Sequence, residues 1–178
     1  GGEVVDLTPV EGTKSGFHQF SGGYVYYFSN RLDKTRFDLY RLNQTSLESE
    51  LIFENKEVMD LGPVSDDGRY VGLSRQDTAN NSEMFIYDRS TGETKHLSRH
   101  TGEVKFLPVF FSKDSMELYY LTDERGEFMA LRAMKLDSLH SREVLALDWD
   151  ISDVERSHDG RYAALVVNRD SFFELQIL

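Results

Sequence analysis

Short runs of aromatic and branched apolar residues recur along the chain, each set off by polar turn residues. They read YVYYF at 24–28, YVGL at 70–73, LYYL at 118–121 and YAALVV at 162–167. Runs of that length and composition suit β-strands and are too short for ordinary helices. Three of them follow one phrase, SDDG at 65–68, SKDS at 112–115 and SHDG at 157–160. Its chemistry is that of a turn: the Asp side chain accepts from backbone N–H groups ahead of it, and Gly takes a positive φ without steric cost. A worn copy, SGG, stands at 21–23. Ser115 holds the glycine's place in the third full copy, which predicts either a different turn there or a strained one.

Measured on Gly23, Gly68, Ser115 and Gly160, the copies lie 45, 47 and 45 residues apart. A second landmark keeps the period: DLYRL from Asp38, FIYDR from Phe85, ALRAM from Ala130 and ELQIL from Glu174. Such self-similarity marks a repeat architecture. The pattern predicts strands over 15–20, 24–29, 37–42 and 50–53, then over 59–64, 70–75, 84–89 and 94–98. A third set follows at 104–111, 117–122, 128–135 and 142–147, and a fourth at 151–156, 161–168 and 172–178. Residues 30–36 and 76–82 read as polar loops, and 131–139, the nearest approach to a helix, conflicts with the repeat register. The opening EVVDLTPVEG at 3–12 echoes ETKHLSRHTG at 93–102, so 3–7 reads as the closing strand of a unit.

Four-stranded antiparallel units of this length are the blades of a β-propeller, which stack face to face because one blade alone leaves an apolar face in water. The expected fold class is therefore all-β, a single propeller segment over 1–178 of about four blades. The blades fall near 13–54, 57–98, 103–147 and 150–178, the last completed by an outer strand such as 3–7. That strand count fits a small ring latched by 3–7 beside 172–178, two chains latched through the same segments as a homodimer, or a piece of a larger ring. An open arc would leave unpaired edges, an association hazard.

Composition narrows the partners. At 178 residues, 39% hydrophobic and 12% aromatic, the chain can bury a core. Its net charge of −11 argues against a nucleic-acid backbone as partner. No run approaches the roughly 18 apolar residues of a membrane helix. Zero cysteines rule out disulfides and thiolate metal sites but leave the compartment, bacterial periplasm or cytoplasm, undecided. A leader peptide is not visible, and the Gly1-Gly2 start leaves a removed one open.

No constellation carries evident chemistry. His18, His96, His100, His140 and His158 are scattered without a metal-ligand spacing, and His158 shares a turn slot with Asp66 and Lys113, which reads as an exposed position. Asp148, Asp150 and Asp153 cluster around Trp149, yet a calcium loop needs a mid-loop glycine that is missing. The expected setting is a solvated loop beside a buried tryptophan. Asp123, Glu124, Arg125 and Glu127 form the hairpin loop of the third blade, a position suited to substrate or interdomain contact but more simply a solvated tip. Asn43 and Asn80 begin glycan-acceptor triplets of the kind expected by chance. No phosphate loop or dinucleotide fingerprint appears, so no cofactor, metal or catalytic residue is expected.

The Ser-x-Asp-Gly turn, its following strand and FIYDRSTGETKHLS at 85–98 resemble the TolB-like propeller repeat. YYLTDERGEFMALRAMKLDS at 119–138 and LALDWDISDVERSHDGRYAALVVNRD at 145–170 are closer still to the N-terminal propeller of prolyl oligopeptidase family serine peptidases. The resemblance covers nearly the whole chain. It implies a non-catalytic propeller joined to an α/β-hydrolase domain, covering its active site and admitting short peptide substrates. The chain departs from a whole enzyme, since the nearest string to a G-x-S-x-G elbow is GTKSG at 12–16, with its serine one place off. The other implied role is a stand-alone TolB-like scaffold for protein partners.

Overall fold

The computed structural model describes residues 4–178 and contains fifteen strands. The chain divides into two compact units, Gly1–Met59 and Asp60–Leu178. The first holds β1 (Ser15–Ser21), β2 (Tyr24–Ser29), β3 (Asp38–Asn43) and β4 (Ser49–Phe53), paired in that order as an antiparallel sheet. Tyr27, Tyr40 and Leu42 form its buried cluster, with the two tyrosine rings stacked 5.4 Å apart. Alternation of apolar side chains to one face of each strand is what creates that cluster.

The second unit holds three sheets, each an antiparallel meander. β5 (Asp60–Val64), β6 (Tyr70–Thr78), β7 (Asn81–Asp88) and β8 (Glu93–His96) make the first; β9 (Phe106–Phe111), β10 (Glu117–Thr122), β11 (Ala130–Lys135) and β12 (Ser141–Leu145) make the second. The third has β13 (Asp150–Arg156), β14 (Ala163–Arg169) and β15 (Phe172–Ile177). These are propeller blades, three of four strands and one of three. Within this unit β9 touches β5, β6 and β7 on one side and β13 on the other, so first strands lie together.

Side chains seal the sheets face to face. Met84 and Ile86 pack against Phe106, Phe111, Leu118, Tyr120 and Met134. On the other face of the middle sheet, Leu121 and Leu131 meet Ile151, Val154, Leu165 and Val167. Each fully buried side chain of this kind contributes roughly 1.5–3 kcal/mol, so these two interfaces carry most of the unit's stability. Gly72 lets β6 approach β9, because a Cβ there would sit 3.1 Å from the Pro108 Cβ.

Three turns of the second unit are copies of one another. The hydroxyl of Ser65, Ser112 and Ser157 donates to the carboxylate two residues on, at 2.6, 2.6 and 2.7 Å. The same oxygen accepts from the N–H five residues on, of Tyr70, Glu117 and Tyr162, at 2.8, 2.9 and 3.1 Å. The Asp then accepts from Arg69, Met116 and Arg161 N–H. Gly68 and Gly160 take φ of 69° and 73°, and Ser115 follows them at 59°. The third copy therefore keeps the turn and bears the strain. The first unit turns differently: Gly22 and Gly23, both at positive φ, make a two-residue hairpin between β1 and β2.

Most expected strands fall where the hydrophobic pattern puts them, and the differences have local causes. The loop expected over 76–82 shrinks to residues 79–80, because polar 76–78 and 81–82 continue the β6–β7 ladder around a bulge. Residues 131–139 are strand and turn rather than helix, with Leu131 and Met134 on opposite interfaces. Of the expected outer strand 3–7, Glu3 lies outside the described residues and 4–7 are not in strand conformation; among the described residues β15 pairs with β14 alone.

Replacing Ser115 by Gly removes the left-handed strain at the loss of one long hydrogen bond, Asp67 N–H to Ser115 Oγ at 3.4 Å. The expected result is a gain of about 1 kcal/mol in unfolding free energy, read from the urea midpoint.

Candidate functional site

The repeated turn fixes where its second residue stands. That slot holds Asp66, Lys113 and His158 in successive sheets of the second unit. Because the first strands lie together, the three slots converge. Lys113 Nζ pairs with Asp66 Oδ2 at 2.8 Å and donates to the His158 carbonyl at 3.3 Å. Arg156, the last residue of β13, reaches ninety positions back along the chain to donate from Nη2 to Asp66 Oδ1 at 2.9 Å. One carboxylate thus ties three sheets, with Asp67 N–H to Ser115 Oγ as a further link between turns.

Its electrostatics follow from partial burial. The side chains of Asp66 and Arg156 are 20% and 16% exposed, whereas Lys113 is 57% exposed. Burial pushes the Asp66 carboxyl up, but Lys113 and Arg156 outweigh it and hold the group below the usual carboxylate range. Arg156 Nε and Nη1 are buried without an acceptor, so its charge leans on Asp66. The arrangement neutralises and fixes; it presents no nucleophile hydrogen-bonded to a base.

The candidates singled out from sequence lie apart. His96 stacks on Phe85 at 4.5 Å and stands 3.7 Å from Glu83 Oε1; burial lowers its pKa despite that carboxylate. His100 bridges the Ser98 carbonyl and Asn81 Oδ1, His18 lies on β1, and His140 and His158 are exposed in turns. Asp150 accepts from Met129 N–H and Asp153 from Val154 N–H, while Asp148 is exposed. Trp149 is half-buried against Phe128 rather than buried, since it sits at the margin of the second interface. Asp123 accepts from Lys105 N–H; Glu124 and Arg125 form a 3.9 Å exposed pair, and Glu127 is exposed. Asn43 caps its own turn by accepting from Thr45 and Ser46 N–H, and Asn80 is exposed in the short β6–β7 turn. Among the described residues no three His, Cys, Asp or Glu side chains gather as a metal site.

Sequence reasoning passed over the Asp66 tie. Its trace is the pair of opposite charges in one turn slot of successive repeats, a slot that by sequence alone reads as an exposed position.

No family model matches the chain, and no curated protein matches it in sequence. Solved structures do match in fold. TolB from Acinetobacter baumannii aligns at a TM-score of 0.62 with 18% identity, over 87% of this chain and 38% of that one. A putative TolB from Agrobacterium tumefaciens gives 0.63 with 13% identity, over 88% and 56%. Prolyl oligopeptidase B from Galerina marginata gives 0.62 with 19% identity, over 92% of this chain and 29% of that one. The chain has the fold of these propellers and spans between 29% and 56% of the structures it resembles.

Asp66→Asn leaves two cations without a carboxylate and is expected to cost about 1–3 kcal/mol at neutral pH. Because the folded pKa is depressed, this contribution is present above the ordinary carboxylate pKa and is lost as pH falls through the lower folded value. Urea midpoints from pH 7 to pH 2 should therefore fall less steeply for the variant than for the parent chain.

Proposed function

We propose that this chain is the non-catalytic propeller portion of a prolyl-oligopeptidase-like serine peptidase. It covers the active site of a separate α/β-hydrolase domain and passes short, flexible peptides. The observation that supports this most directly is a match over 92% of this chain to under a third of a prolyl oligopeptidase. The charged turns tied through Asp66 suit a rigid cover, since ionic links between sheets resist their spreading. The gating is steric and consumes no chemistry of its own.

A second reading, a TolB-like scaffold that binds protein partners, draws on the comparable match to TolB structures. The natural open reading frame separates the two. The first reading expects a G-x-S-x-G elbow followed by Asp and His in the same frame. It also expects the whole product to cleave a short proline-containing peptide while this chain alone does not. A frame with further blades, no hydrolase region and a stable protein partner in pull-downs would contradict it and support the scaffold.

A further inference from the structure

The middle sheet of the second unit carries a buried arginine that the fold does not require. Arg132 on β11 lies opposite Tyr120 and is 4% exposed. In the other four-stranded sheets the matching position, fixed by register, holds Tyr40 opposite Tyr27 and Phe85 opposite Leu73. Both are buried aromatics, while the three-stranded last sheet has Gln176 there. A buried cation where an aromatic ring serves as well carries a desolvation cost without a packing gain.

The guanidinium has one firm partner and one loose one, and it lines a cavity. Nε donates to Ser141 Oγ at 3.1 Å, and that hydroxyl also bonds the Tyr120 phenol at 2.6 Å. The ion pair it makes is slack: Nη1 stands 3.9 Å from Glu143 Oε2, on a side chain 58% exposed. Arg132 and Glu143 line a cavity of about 120 Å³ with apolar walls from Phe128, Ala130 and Leu147, and with Arg125 and Glu127 also in its lining. That is somewhat less than the roughly 150 Å³ known to hold a benzene ring. This sheet has a neighbour packed on each face, so the cavity is not a surface left open by an absent blade.

We propose that the Arg132 cavity binds a carboxylate at the end of a flexible chain, displacing Glu143 from its loose pairing. Two Nη groups side by side match a carboxylate in bidentate fashion, and the apolar walls take two or three carbons behind it. The carboxylate comes from an acidic side chain or from a peptide C-terminus; both present the same group. The net charge of −11 opposes the approach of anions, so recognition rests on the buried fork rather than on long-range attraction. This site stands independently of the covering role proposed above.

The test titrates the full chain with three N-terminally blocked tripeptides, followed by NMR shifts. One carries a Glu side chain and an amidated end, one is all Ala with a free C-terminal carboxylate, and one replaces the Glu by Gln. Saturable binding of either carboxylate peptide, with none of the Gln peptide, is the expected result, and which one binds identifies the source. Arg132→Tyr, the residue of the first sheet, should keep the unfolding midpoint and weaken binding about tenfold or more. Glu143→Gln should tighten it several-fold, roughly as expected for removal of a competing charge. Absence of saturable binding by both carboxylate peptides, or binding unchanged in a folded Arg132→Tyr chain, overturns the proposal.

Discussion

One kind of serine hydroxyl, used twice in each of three turns, governs how the second unit is built. In Ser65, Ser112 and Ser157 it donates forward to a carboxylate and accepts from the strand that follows. Those two bonds close the turn and set the register of the next strand. They also hold the intervening side chain at a fixed point outside the hairpin. Buried polar groups persist only when satisfied, and Ser65, which is fully buried, meets that condition.

Two kinds of force then divide the work in the second unit. Apolar side chains from Met84 to Met134, and from Leu121 to Val167, hold sheets together without prescribing their angle. The Asp66 pairs add far less energy but are directional, and they act at the end where first strands gather. Bulk adhesion comes from the faces and alignment from the turns.

Strand positions were legible because the apolar period is local: 24–29 and 117–122 are strands over the full predicted extent. Polar extensions such as 76–78 were not, since the ladder there is held by backbone bonds rather than by apolar spacing. Ser115 announced its strain, yet only the structure shows that the turn is kept. The charge complementarity of Asp66 and Lys113 was written in the repeats, but its meaning depends on the turns converging, a tertiary fact. Arg132 reads as any polar residue in an alternating strand; that it is buried, with Ser141 as its partner, is a tertiary fact.

Coupling of the first and last sheets of the second unit through one carboxylate is measured most directly by a double-mutant cycle. Asp66→Asn, Arg156→Gln and the pair are unfolded in urea at neutral pH. The expected coupling energy is about 1–2 kcal/mol between residues ninety positions apart. Strict additivity of the two single changes would contradict it.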